Sequence, residues 1–443
     1  MLLIFKEVFG SVFEAFRLTW WFVLPFLLFF ALKDLWLLYV RVLFMRKIKW
    51  VTLEVRVPKD ILQTPRAMEE VFSSMYATYS YGIRFWDKWW EGKVERWISF
   101  EMVGMNGGIY FFIRTPADFR NLIESSIYGQ FPDVEITETT DYMEELPEVL
   151  PNKTYDLWGT EMEFLKPDPY PIKTHMKFEA DIEERRIDPV GSLAETMSRL
   201  KEGEYILIQM MVSPVGKLTG FDILGDGKKE IDGLIGGKKD EKKKGIIASF
   251  IFGLAEFLKN LALAVFKEPT WEGGGEEKKE EKKKSFMEIT AGSQEVIKAI
   301  ENKTSKLSFE TTIRVIYIDR QDSFTPLNVS AVMGYFHQFN TQNVNAFKPV
   351  KKVITIYGGL PGRIFPKFKK YKLGIRKREV YRKYRDRVFA KNNRITFEKR
   401  PILSTEELAT LFHFPIINVE APSMRRLPSK KGEPPVDLPI KKI

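Results

Sequence analysis

The residues best equipped for chemistry lie between Arg363 and Arg400, where sixteen Lys or Arg stand against three acids, Glu379, Asp386 and Glu398. Arg363, Lys367, Lys369, Lys370, Arg376, Lys377, Arg378, Arg382, Lys383, Arg385 and Arg387 alternate there with Phe365, Phe368, Tyr371, Tyr381, Tyr384 and Phe389. Cations neutralise phosphates and exposed rings stack on bases, which is how single strands are held without sequence preference. The same tract would suit an anionic lipid surface or a protein partner. A third reading puts the rings in the core and leaves the charges as a solvated face. The chain as a whole carries +10, so this one stretch holds more than the entire excess and the remainder is near neutral.

Other chemistries are thinly supplied. There is no cysteine, which removes disulfides, thiolate metal sites and cysteine nucleophiles. The three histidines, His175, His337 and His413, are far apart in the chain and read as structural residues rather than ligands. Gly237-Lys238 is followed by Lys239, not Ser or Thr, and has no strand before it, so it is no phosphate-cradling loop. The acids Glu144, Glu145 and Glu148, and Glu179, Asp181, Glu183 and Glu184, read as solvated surface, and no Gly-x-Ser-x-Gly elbow occurs. The sequence therefore predicts no enzyme and no cofactor.

Among the elements that must position the basic tract, the first is apolar. Residues 1–17 are mixed in character, and 18–40 read as a transmembrane segment, with LTWWFVLPFLLFFAL (Leu18 to Leu32) followed, after Lys33-Asp34, by LWLLYV. Trp20, Trp21, Trp36 and Tyr39 sit towards its ends, and Arg41, Arg46, Lys47 and Lys49 follow it. The expectation is a single pass in the cell membrane, with the N-terminus outside and the body cytoplasmic.

The body reads as α+β. Residues 50–140 predict a ferredoxin-like β-α-β-β-α-β unit: strand Trp50 to Val57, a helix opened by Thr64-Pro65, and a hairpin about Asn106-Gly107-Gly108. A second helix and the strand Asp133 to Thr137 complete it. Residues 150–360 predict a second such unit: strand Tyr155 to Leu165, helix Ser192 to Leu200, strands Tyr205 to Val212 and Phe309 to Ile318, helix Pro326 to Phe339, and strand Lys352 to Tyr357. A charged insertion at 214–290, with an amphipathic helix at 246–266, interrupts it. The basic segment 361–400 and a proline-rich tail at 401–443 follow. Phe85, Trp86, Trp89 and Trp90 form either an exposed contact surface or a buried cap.

Long strings in this body carry a resemblance: WISFEMVGMNGGIYFFIRTPADFRNLIESSIYGQFPDVEI, VIYIDRQDSFTPLNVSAVMGYFHQFNTQNVNAFKP, and ILSTEELATLFHFP with KKGEPPVDLP. They resemble the uncharacterised N-terminal region that, in candidate-phyla bacteria, precedes P-loop motors of the conjugative coupling-protein and HerA-type class. The resemblance implies a non-catalytic adaptor in a type IV secretion-like or DNA-transfer apparatus. Its P-loop ATPase would be supplied in trans, since no Walker A strand is present. Thr405, Glu406, Glu407, Leu411, His413 and Pro415 would then dock the motor. The alternative is a membrane-tethered nucleic-acid-binding module using the basic segment. Oligomeric state is left open, a homo-oligomer included.

Overall fold

The structure, a computed structural model, describes residues 2–58, 63–80, 82–179, 188–236, 290–356, 366–389 and 400–415. Its body is one nine-stranded antiparallel sheet. In the first half, strand β1 (Trp50–Arg56) leads to helix α2 (Pro65–Met75), and the hairpin β2 (Ile98–Met105) and β3 (Gly108–Pro116) to helix α3 (Arg120–Gln130) and β4 (Glu135–Thr139). The hairpin needs two left-handed residues, and Asn106 (φ 50°) and Gly107 (φ 70°) supply them. The strands lie in the order β4-β1-β3-β2, the ferredoxin-like order.

The second half repeats it with β5 (Tyr155–Phe164), α5 (Pro189–Ser198), β6 (Tyr205–Val215), β7 (Ser308–Arg320), α8 (Pro326–His337) and β8 (Phe347–Pro349), ordered β6-β7-β5-β8. Short helix α4 (His175–Glu179) precedes α5, and α6 (Ile223–Gly236) and α7 (Ala291–Thr304) lie between β6 and β7. The halves fuse edge to edge where β2 pairs with β6, from Ile98 opposite Val212 to Met105 opposite Tyr205. Each half thereby covers the edge the other would expose. The expected strand at 352–357 is not formed among its described residues, 352–356. The last pairing is Phe347–Pro349 against Met162–Phe164, and residues 351–355 turn. The expected helix at 246–266, Arg363, and the tail beyond Pro415 lie outside the described residues.

Strand alternation sorts the core into two layers. On one face Leu53, Phe100, Ile113, Ile208, Met210 and Val315 pack beneath α2, α3, α5 and α8. Between these helices sits α10 (Thr405–Leu411), which follows the short strand β9 (Ile402–Ser404) paired to β7. On the other face Val103, Phe112, Leu157, Leu207, Ile316 and Ile318 pack against the segment Tyr142 to Leu150 and against helix α9 (Pro366–Arg385).

The expectation of a transmembrane segment is corrected by this structure. Helix α1 (Leu2–Lys47) is continuous, but Lys33-Asp34 divides its apolar sequence, and no helix among the described residues is long and apolar enough to cross a membrane. Its last turns are held by protein instead. Leu37 and Val40 are each 4% exposed, Trp36 Nε1 donates to the Trp89 carbonyl at 2.8 Å, and Gly92 lies so close that a Cβ there would meet the Val40 carbonyl at 2.3 Å. The single-pass location, with the N-terminus outside and a cytoplasmic body, rested on that segment and is corrected with it.

Candidate nucleic-acid interface

Helix α9 has two characters along its length. Its C-terminal half docks, burying Val380, Tyr381 and Tyr384 at the spacing that keeps side chains on one helical face. Gly159 on β5 leaves the room this needs, since a Cβ there would stand 2.7 Å from Val380 Cγ1. Lys377 Nζ bonds both Asp156 oxygens at 2.6 and 2.8 Å, Tyr381 OH donates to the Pro147 carbonyl at 2.6 Å, and Arg376 Nη1 donates to the Ile354 carbonyl at 3.1 Å. The N-terminal half is open, with Lys367, Lys370 and Lys372 exposed beside Phe368 (48% exposed) and Tyr371 (64%). Arg378 and Arg382 continue the exposed face towards the docked end.

The helix ends in a motif that reuses one of its cations. Arg387 N donates to the Tyr384 carbonyl at 3.0 Å and Val388 N to the Lys383 carbonyl at 3.0 Å, the paired bonds of a Schellman cap. That cap places Arg387 at φ 45°, a position usually given to glycine. An arginine stands there because its guanidinium plugs a buried polar stripe across four strands.

The stripe is set by register. Glu101 on β2 faces Gln209 on β6, Gln209 faces Arg314 on β7, and Arg314 faces Glu161 on β5. Gln209 Nε2 donates to Glu101 Oε1 at 2.9 Å, Arg314 Nη1 to Gln209 Oε1 at 3.2 Å, and Arg314 Nε to Glu161 Oε1 at 2.7 Å. Above the stripe, Arg387 donates to both Glu101 oxygens at 3.1 Å and to both oxygens of Asp141, which also accepts from Arg114. Tyr142 OH donates to Glu101 Oε2 at 2.6 Å and shares a 2.8 Å bond with Tyr384 OH.

Burial pushes the Glu101 carboxyl up, but the Arg387 charge and hydrogen bonds from Arg387, Ser99 and Tyr142 outweigh it and hold the group below the usual carboxylate range. Asp141 is held down in the same way, with Arg387 again the main opponent of burial. Burial, helped by the Glu101 charge, drives Tyr142 and Tyr384 well above the usual phenol range, so both stay protonated.

A carboxyl depressed on folding stabilises the fold fully above its unfolded pKa and loses that contribution as pH falls through the folded one. Stability is therefore expected to be flat above about pH 5 and to fall progressively below the ordinary carboxylate range. Urea unfolding of the parent and of Glu101→Gln at several pH values measures this. The variant should show the shallower acid loss, and a parent that gained stability on acidification would rule the account out.

The sequence-derived cations thus divide. Lys367, Lys370, Arg378 and Arg382 are exposed, whereas Lys369, Arg376, Lys377, Lys383 and Arg385 are half-buried and Arg387 is buried. Arg385 Nη1 donates to the Pro147 carbonyl at 3.2 Å, and Lys383 pairs with Glu379 at 3.3 Å. The residues assigned to motor docking are placed inside. Thr405, Glu407, Leu411 and His413 are 3%, 0%, 3% and 1% exposed, Pro415 is buried, and Glu406 is half-buried in an ion pair with Lys306 at 2.7 Å. His413 bonds Asp188 at 2.9 Å, and buried His175 meets Thr410. Sequence reading passed over Lys372 and the whole Glu101-Gln209-Arg314-Glu161 stripe. Charged residues inside strands otherwise rich in apolar residues were the available signal.

Fold and surface together define, among the described residues, an α+β body that fuses two ferredoxin-like sheets and presents a basic helix. Residues 44–426 match the family described as Domain of unknown function (DUF8128), and the chain belongs to that family. Comparison with curated proteins returns no match.

Proposed function

We propose that the chain is a non-catalytic nucleic-acid-binding module whose contact surface is the exposed face of α9. The observation carrying this reading is that Lys367, Lys370, Lys372, Arg378 and Arg382 are exposed on one helix together with the rings of Phe368 and Tyr371. Phosphate neutralisation and base stacking call for that pairing of groups. The docked half of α9 fixes the surface to a rigid sheet. A motor-docking role for the Thr405 to Pro415 segment gains no support, because its side chains are occupied within the fold.

Binding of the full chain to a fluorescent single-stranded oligonucleotide tests the proposal. With about five phosphates neutralised, log K should fall against log salt with a slope near −3.5. Lys370→Glu, Arg378→Glu and Arg382→Glu together should weaken binding at least about tenfold without changing the unfolding midpoint, since all three side chains are exposed. A flat salt response, or full affinity in the triple variant, would sink the reading.

A further inference from the structure

A second site lies where α1, β1, β3 and the end of α9 converge. It is a cleft of about 920 Å³, the size of a small-molecule site. Arg41, Arg46, Arg114, Arg385 and Arg387 contribute to its lining, against the carboxylates of Asp141, Glu144 and Asp386. Counting Glu101 beneath Arg387 still leaves the cations in excess. Two guanidiniums, from Arg114 and Arg387, converge on the single Asp141 carboxylate. Burial, followed by the Arg387 charge, holds the Arg114 guanidinium below its usual range, so positive charge is crowded at this point.

The remaining wall is apolar, part aliphatic and part aromatic. Trp50, Trp97 and Phe389 line the cleft, with Trp50 and Trp97 ring centres 5.4 Å apart and Trp97 stacked on Phe389 at 5.3 Å. Trp97 is 4% exposed, and its indole Nε1 has no acceptor among the described residues. Trp50 remains partly accessible. An excess of guanidiniums calls for an anion with several oxygens, since the planar fork matches phosphate, and an accessible indole beside it offers a flat ring a stacking surface.

We propose that this cleft binds a nucleoside phosphate, its phosphates held by Arg41, Arg46 and Arg114 and its base laid against Trp50. The site does not depend on strand binding by α9, because Arg41 and Arg46 belong to α1 and Arg114 to β3.

Titration calorimetry of the full chain with ADP, pyrophosphate and adenosine tests it. ADP should bind in roughly the micromolar range, with pyrophosphate and adenosine each at least about tenfold weaker, since both halves contribute. Arg46→Gln, at an exposed residue of the cleft, should weaken ADP about tenfold or more at an unchanged unfolding midpoint, and Arg41→Gln with Arg46→Gln should weaken it further. Arg378→Glu with Arg382→Glu should leave ADP binding intact. A 5′-phosphorylated tetranucleotide and its 5′-hydroxyl counterpart then separate the two sources of the ligand: a phosphorylated strand that outbinds ADP assigns the cleft to strand ends, and the reverse assigns it to free nucleotides. No ADP binding at millimolar concentration, equal affinity for adenosine or pyrophosphate, or indifference to the α1 substitutions would overturn the proposal.

Discussion

Replacing Arg387 by Met should destabilise the fold by about 3–5 kcal/mol, the cost of leaving buried charges without their partner. Arg387 is 3% exposed and is the only cation among the described residues bonded to both oxygens of Glu101 and both of Asp141. Removing it strands the Glu101 carboxylate, which is fully buried, while Arg114 still serves Asp141. Equilibrium urea unfolding of the full chain gives the value. Arg387→Met combined with Glu101→Gln should recover part of the loss, because the orphaned charge is then gone and Tyr142 still donates to the amide oxygen. Arg387→Gly separates the backbone from the charge: it relieves the left-handed φ of 45° yet should remain strongly destabilised if the ion pairs dominate. A loss below about 1 kcal/mol in Arg387→Met would show that the stripe tolerates an unpaired carboxylate and would refute the account. Arg387 is accordingly a poor choice for a binding control, since its loss would report unfolding.

Glu407→Ala is the other substitution with a large expected effect, again about 3–5 kcal/mol. The Glu407 carboxylate and the Lys303 ammonium are each 1% exposed and 2.9 Å apart. The same carboxylate accepts from Ile172 N at 2.9 Å and from Ser404 N at 2.9 Å, closing a capping box at the start of α10. One side chain therefore joins α10, α7 and the loop before α4. Truncation leaves a buried ammonium whose nearest other company is the Tyr170 carbonyl at 3.4 Å and the Phe164 ring at 4.7 Å. Denaturant unfolding of Glu407→Ala and of Lys303→Met with Glu407→Leu makes the comparison. The apolar pair should be far less damaged than the single truncation, because replacing both ions removes the stranded charge. A single truncation as mild as the double replacement would contradict the assignment.

Both residues carried sequence signals that pointed outward. Arg387 stood in a run of cations, and Glu407 in a polar string before an apolar one. What composition cannot express is which turn of a helix meets the sheet. On α9 the buried positions are Val380, Tyr381 and Tyr384, so Arg382 faces solvent while Arg387, carried past the helix end by a left-handed residue, turns back inside. The apolar run in α1 misled for a related reason. Its hydropathy reads as a membrane span until the Lys33-Asp34 interruption is weighed and Leu37 and Val40 are found packed on the π-helical turn Asp87–Glu91 and Gly92.

Local sequence by itself determined the α+β class, the alternation of strands and helices in both halves, and the Asn106-Gly107 turn, because these depend on neighbours in sequence. A count of charges also marked residues 361–400 as the basic segment, without showing the helix within it. Only the tertiary structure decided that the halves share one sheet through β2 and β6, since edge pairing between segments about a hundred residues apart leaves no local pattern. The division of one basic tract into an exposed half and a buried half was decided there too. Burial of a charge is permitted only where distant strands have brought Glu101, Asp141 and their hydrogen-bond partners together to receive it.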